Sequence, residues 1–211
     1  MSSVMQIGPE EERSSRLEIS DENLINLYVK GDLDALDQLI IRYKKPLYSF
    51  LWRLTASSTE VEEIFQETWL RVIQKAARFE QNRFKGWIFK IAYNLVIDRN
   101  RMKRGHLSLD QTSDYQDGCE TLRDTIPAPG PGPDGQAANG DLKIALAQAL
   151  ASLPAAQREV FVLRMEADMT FKEIAELQGI SINTALARMQ YALTKMRTEL
   201  RPLYGPGERT L

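Results

Sequence analysis

Apolar positions recur at helical spacing through most of this 211-residue chain. Across residues 20–104 and 142–201 glycine and proline are scarce and β-branched runs are short, so the pattern predicts helices throughout. Leu24, Leu27, Tyr28, Leu36, Leu39 and Ile40 fall on helical faces, with a break at Gly31-Asp32. Tyr43, Leu47, Phe50, Leu51 and Leu54 continue the second stripe. Ser57 and Glu60 fit a capping box, in which each side chain satisfies a free backbone N–H. It opens a helix carrying Val61, Ile64, Phe65, Thr68, Trp69 and Val72. A polar loop around residues 78–83 leads into a further helix over 83–104. At about 100° per residue, Phe84, Trp87, Ile88, Ile91 and Leu95 form one narrow apolar stripe. Lys90, Tyr93, Asn100, Arg101 and Arg104 lie on the far side. Trp87 therefore reads as core rather than as a base-stacking residue.

The second helical stretch has its own punctuation. Leu153-Pro154 places proline in a first turn, where a missing N–H costs little. Thr170 and Glu173 fit another capping box, opening a short helix with Ile174, Ala175 and Leu177 inside. Gly179 suits a helix C-terminus, and Ser181 caps the next helix. Short helix, glycine turn, longer helix is the helix-turn-helix signature. On the longer helix, Ile182, Leu186, Met189, Leu193, Met196 and Leu200 are expected to form the buried seam. Thr184, Ala187, Arg188, Tyr191 and Lys195 lie opposite. A helix entering a major groove needs a few side chains near its start that reach base edges. Asn183, Thr184 and Arg188 have that chemistry, and Ala187 suits a thymine methyl. An ordinary surface face of a structural helix is the other reading of the same pattern.

Residues 105–141 differ in kind: Pro-Gly alternation and excess acid predict a flexible linker. A coil of this length spans roughly 35 Å on average and about 120 Å when stretched. Two recognition sites two DNA turns apart are separated by roughly 70 Å, within reach of an extended linker. The expected fold class is thus all-α: two helical domains, 20–104 and 142–201, joined by a flexible acidic linker over 105–141, the second a helix-turn-helix.

Charge changes the picture more than composition does. The net charge is −2, yet residues 71–104 carry 10 basic and 2 acidic side chains, a local +8. Residues 1–70 and 105–141 are each −6, and 142–211 is +2. A +8 island in an acidic chain points to a polyanion, although a solvated surface face has the same appearance. A hydrophobic content of 43% is enough for one packed core or two small ones. No apolar run is long enough for a membrane span, and the start of the chain has no signal-peptide core. Cys119 is the one cysteine, which excludes an internal disulfide and suits a reducing cytoplasm. With His106 the one histidine, a structural zinc site is not expected. No glycine-rich phosphate loop, nucleophile–base set or metal-ligand spacing is present, so no enzyme, cofactor or metal is expected. Glu62, Glu63 and Glu67 share a helix face and read as an exposed protein-docking surface.

Together these segments resemble one family. VEEIFQETWLRVIQKAARFEQNRFKGWIFKIAYNLVIDRNRMKR is similar to region 2 of the bacterial extracytoplasmic-function (ECF) sigma factors. LPAAQREVFVLRMEADMTFKEIAELQGISINTALARMQYALTKMRTEL is similar to their region 4, and order, spacing and linker match too. The resemblance implies a cytoplasmic factor that binds core RNA polymerase and directs it to promoter DNA. Ile64, Phe65, Gln66, Glu67, Trp69 and Leu70 match the family's polymerase-docking segment. Arg78, Asn82, Arg83, Lys85, Lys90, Tyr93, Asn94, Arg101 and Arg104 would engage the minus-ten element, where an unstacked base is captured. Ser181, Asn183, Thr184, Ala187, Arg188 and Tyr191 would read the minus-thirty-five element. An anti-sigma factor is implied by the same analogy. The recognition helix departs from the family's usual G-T-V-K-S-R-L. This chain has Asn183-Thr184-Ala185-Leu186-Ala187-Arg188-Met189, with Leu186 and Ala187 for Lys and Ser, and Tyr191 for an arginine. Fewer phosphate contacts imply a weaker salt dependence for that domain. The competing readings are a stand-alone helix-turn-helix regulator and a purely protein-binding helical module. Neither the first 19 residues nor the tail after Pro202 has an assignable role.

Overall fold

The computed structural model describes residues 19–55, 57–80, 83–107 and 136–204, and those residues build eight α-helices. They are α1 Asp21–Val29, α2 Leu33–Leu54, α3 Ser58–Lys75, α4 Phe84–Leu107, α5 Gln136–Ala151, α6 Ala155–Met165, α7 Phe171–Gln178 and α8 Ile182–Tyr204. A 3-10 turn, Ala76–Arg78, follows α3. The all-α expectation holds among these residues. Helix also extends into both ends of the segment read as linker, since α4 runs to Leu107 and α5 begins at Gln136. The rest of that segment, 108–135, lies outside the described residues, as do Asn82 and the side chain of Arg104.

Local signals start and stop most of these helices where the pattern puts them. Ser20 caps α1, accepting from the Asn23 N–H at 3.2 Å. The break at Gly31 is real: φ is +105°, a region open to glycine and strained for other residues. Asp32 then caps α2, accepting from Ala35 at 3.3 Å. Thr170 and Glu173 form the full capping box on α7. Gly179 ends α7 with φ +65°, and the Ile180 N–H closes the turn on the Ala175 carbonyl at 3.0 Å. Ser181 accepts from the Thr184 N–H at 3.0 Å to start α8.

The capping box at Ser57 does not form. Ser57 stands at the N-cap position of α3 without a side-chain bond. Glu60, its expected partner, instead accepts from Lys103 Nζ of α4 at 2.8 Å. A charged partner across the helix pair outweighs a neutral bond to a helix end that solvent already hydrates.

Helices α1–α4 enclose an aromatic core. Phe50, Phe84 and Phe89 are fully buried. Phe50 meets Phe89 edge-on at 4.8 Å between centroids, and Tyr43 meets Phe84 at 5.4 Å. Burying a ring of this size contributes roughly 1.5–3 kcal/mol. Trp87 is partly buried on the flank of this core, its ring tilted against Phe79 at 4.9 Å between centroids, in keeping with its reading as a packing residue. The apolar cluster continues from these helices into Val160, Leu163, Met169 and Ile174 of the second unit. A smaller cluster of Ala149, Leu150, Leu153, Ala192 and Met196 joins α5 to α8.

The seam of α8 is not the expected one. Ile182, Leu186 and Leu193 are 46%, 43% and 47% exposed, whereas Ala185 and Ala192 are fully buried beside Met189 and Met196. Both lines repeat every three or four residues and share their two methionines. The alanine line wins because small side chains let α8 approach its neighbours closely, which turns the helix by about one residue.

Candidate DNA interface and polymerase-docking face

Helix α4 carries most of the basic island, and a remote residue positions it. Its first N–H, from Phe84, donates to Glu22 Oε1 of α1 at 3.0 Å. A carboxylate at a helix N-terminus satisfies an orphan donor and complements the helix dipole. Glu22 lies in a helix held by the shared contacts of Asp21, which accepts from both Arg42 and Tyr43 of α2. Burial first, and the Asp21 carboxylate second, push the Tyr43 phenol well above the usual tyrosine range.

Of the expected minus-ten residues, Arg78, Arg83, Lys90, Asn94 and Arg101 are exposed and Lys85 is half-buried. Tyr93 is the exception. It was expected on the open face but is 3% exposed, because α6 and α7 cover it. Its hydroxyl donates to Glu159 at 2.7 Å and accepts from the Gln178 amide at 3.1 Å. Burial, then the Glu159 carboxylate, raises its pKa far above the usual phenol range. Arg83 donates to the Asp168 carbonyl and lies 3.5 Å from Glu173, and Lys85 pairs with the Asp168 carboxylate. Arg99 and Lys103, also on α4, pair with Glu63 and Glu60 of α3.

The recognition helix presents Ser181, Asn183, Thr184, Ala187 and Tyr191 to the surface. Arg188 is half-buried and donates to Gln178 Oε1 at 3.3 Å. Leu186 is also exposed, so an apolar side chain stands on this face where the family pattern has a cation.

On α3, the six residues expected to dock on polymerase divide by face. Ile64, Phe65 and Trp69 are at most 9% exposed and belong to the core, with Phe65 packed 4.5 Å from Tyr48. Gln66, Glu67 and Leu70 reach the surface. Ile73, which was not among the six, is 40% exposed one turn beyond Leu70 at 53%. The i, i+3 spacing of these two is legible in the sequence, but of the pair only Leu70 falls in the expected docking segment. Glu62 accepts from the Tyr48 hydroxyl and from Gln66 at 3.1 Å, and those two bonds hold its carboxyl below the usual glutamate range. Tyr48 is correspondingly pushed up to about 12, by burial and then by Glu62.

Sequence reasoning also missed Glu159, Glu166, Asp168 and Gln178, which meet the basic face from the other side. Glu166 pairs with Arg53, and its burial raises its carboxyl above the usual range while that arginine pulls it back. None of these four sits in a motif, so no local signal marks them.

Comparison with known proteins accounts for this arrangement. Residues 39–105 match the Sigma-70 region 2 family, and residues 143–196 match Sigma-70, region 4. The chain is 30% identical over 188 residues to the ECF RNA polymerase sigma factor SigW of Bacillus subtilis, covering 89% of this chain and all of that one. It is also 30% identical to the RNA polymerase sigma factor CarQ of Myxococcus xanthus, covering 79% and 90% of the two chains. The fold is shared with CnrH, solved with the cytosolic domain of CnrY, at a TM-score of 0.54, 22% identity and coverage of 86% and 97%. It is shared likewise with the sigma factor RpoE of Bartonella quintana, solved with the anti-sigma factor NepR, at 0.56, 23%, 78% and 96%. A stand-alone operator binder is not favoured, because region 2 precedes the helix-turn-helix and one relative matches along its whole length. The chain belongs to the ECF subfamily of RNA polymerase sigma factors, and it directs promoter-specific transcription initiation.

Proposed function

We propose that residues 20–104 dock on core polymerase and open the minus-ten element, and that residues 142–201 read the minus-thirty-five element across the 105–141 linker. The observation that carries this division is α3. Its inner face is committed to the core, and its outer face offers Leu70 and Ile73 beside Gln66 and Glu67. An apolar pair rimmed by polar groups is what a protein partner covers, and duplex DNA has no use for it. Arg78, Asn82 and Arg83, which precede α4 in the chain, and Lys85, Lys90, Tyr93, Asn94, Arg101 and Arg104 within it supply cations for phosphates and an aromatic for an unstacked base. Extruding a base costs a few kcal/mol, roughly, and phosphate contacts offset part of it. On α8, Ser181, Asn183, Thr184, Ala187, Arg188 and Tyr191 form the duplex-reading set.

The protein acts without chemistry of its own, in the cytoplasm where polymerase and DNA are. No described helix is long and apolar enough to cross a membrane. An anti-sigma factor completes the reading. Ile182, Leu186 and Leu193 are exposed on one side of α8, an apolar face suited to a protein that holds the factor off DNA.

The test separates docking from DNA opening. Leu70→Ala with Ile73→Ala should weaken binding to purified core polymerase by about 5- to 30-fold, in the range of interface anchors. Arg101→Ala with Arg104→Ala should leave that affinity intact and reduce open-complex formation on a native promoter. Unchanged polymerase affinity in the first variant removes α3 from the interface. Equal loss of both activities in the second removes α4 from DNA.

A further inference from the structure

Because α8 buries its alanine line, its other apolar line stands outside, next to the residues that read duplex DNA. Ile182 is 46% and Leu186 43% exposed, one turn apart near the start of the helix. They share an exposed strip with Asn183, Ala187 and Gln190, since positions i, i+1, i+4, i+5 and i+8 adjoin on a helix. The polar residues of the same turns are largely committed within the protein. The Ser181 hydroxyl accepts from the Thr184 N–H and lies 2.8 Å from the Thr184 hydroxyl. Arg188 donates to Gln178 Oε1, and Gln178 in turn donates to Glu159 at 3.0 Å. What the first two turns of α8 present to solvent is therefore mostly methyl and methylene groups, with the Asn183 amide among them.

A recognition helix enters the major groove with the residues near its N-terminus against base edges. There the C5-methyl of thymine is the apolar feature, and apolar side chains recognise it. A phosphate offers an exposed leucine nothing, whereas contact with a methyl takes apolar surface of both out of water. We propose that Leu186, flanked by Ile182, reads a thymine methyl in the minus-thirty-five element, beside an adenine read by Asn183. The proposal rests on the reading of α8 as the duplex-reading helix, and it adds a specificity-determining residue to that helix. A cation at this position would bind any sequence through its phosphates. Leucine binds a group that thymine carries and the other three bases do not. The side of α8 suited to a partner protein and the side that reads thymine then overlap at Ile182 and Leu186, so that each occupant excludes the other.

Deoxyuridine tests this, because it removes the methyl and keeps the base-pairing groups. The probe is a native promoter fragment bound by core polymerase carrying the full chain. Each thymine of the minus-thirty-five element is replaced in turn by deoxyuridine. At one or two positions affinity should fall by about 2- to 4-fold, the scale of one buried methyl group. Leu186→Ala should bind the unmodified fragment more weakly and lose that penalty, so that thymine and deoxyuridine fragments bind alike. Leu186→Met, still apolar and of similar reach, should keep it. Leu186→Lys should lose it and steepen the dependence of log affinity on log salt by about 0.9, through one added phosphate contact. A penalty that survives Leu186→Ala overturns the proposal. So does a penalty at no thymine, which leaves the apolar side to a partner protein. An unchanged salt slope in Leu186→Lys places position 186 away from the duplex and overturns it as well. The underlying reading fails separately, if Asn183→Ala with Tyr191→Ala keeps the full preference for this promoter over one with a scrambled minus-thirty-five element.

Discussion

Glu22 shows how a single carboxylate does work that its neighbours in sequence give no hint of. It sits in the first turn of α1, where an acid favours that helix's own N-terminus. It also caps α4, 62 residues further on, and so fixes the start of the helix that carries the basic island. Tyr48 and Glu62 show the same thing as a titrating pair. The folded Glu62 carboxyl is held down by the Tyr48 hydroxyl, then by the Gln66 amide. Its stabilisation is present above the unfolded glutamate pKa of about 4.3 and is lost as pH falls through the lowered folded value. The Tyr48 phenol is raised to about 12, so its share is present below about pH 10 and is lost as pH rises through 12. Carboxyl chemical shifts should find Glu62 titrating below the usual glutamate range, and Tyr48→Phe should return it toward the ordinary value. An unchanged Glu62 titration in that variant would remove the hydrogen bond as the cause.

At the scale of the element, α8 is the instructive case. Its apolar pattern admits two seams, and the structure buries the alanine line. Ala192→Leu should overpack the contact with Ala149, Leu150 and Leu153 and destabilise the second unit by about 1–3 kcal/mol. Leu186→Ala, on the line expected from sequence, should change stability by no more than about 0.5 kcal/mol. Thermal melts of the two variants decide between the seams, and a reversed order would restore the original one. Helix α3 carries a related lesson. A motif that matches a docking segment includes the residues that hold the helix in place, and Ile64, Phe65 and Trp69 are of that kind. Phe65→Ala therefore reports on folding before it reports on polymerase.

For the molecule as a whole, the contact between its two helical units combines an apolar patch with partly exposed ion pairs. Raising salt from about 0.1 M to about 1 M shortens the screening length from about 10 Å to about 3 Å and weakens the ionic part alone. The radius of gyration from small-angle scattering should grow over that range, while helical circular dichroism stays constant. A constant radius would mean that the apolar patch alone holds the units together. This dependence runs opposite to the one for DNA. Salt that opens the chain also weakens its grip on phosphates, so affinity for DNA should vary with salt less steeply than the count of cations on α4 implies.

The sequence by itself determined the helices, the capping box at Thr170 and Glu173, the turns at Gly31 and Gly179, and the helix-turn-helix. All of these are set by residues a few positions apart, whose backbone preferences and hydrogen bonds act locally. The same holds for the +8 island, since charge is counted and not folded. Only the tertiary structure decided that Glu60 would leave its cap for Lys103, that α8 would bury its alanines, and that Tyr93 would lie beneath α6 and α7. Each of these depends on a partner 43 or more residues away or on how closely two helices approach. A period of three to four residues fixes which positions share a helix face. It cannot tell which of two adjacent faces meets a neighbour, because that depends on the volumes of side chains elsewhere in the chain.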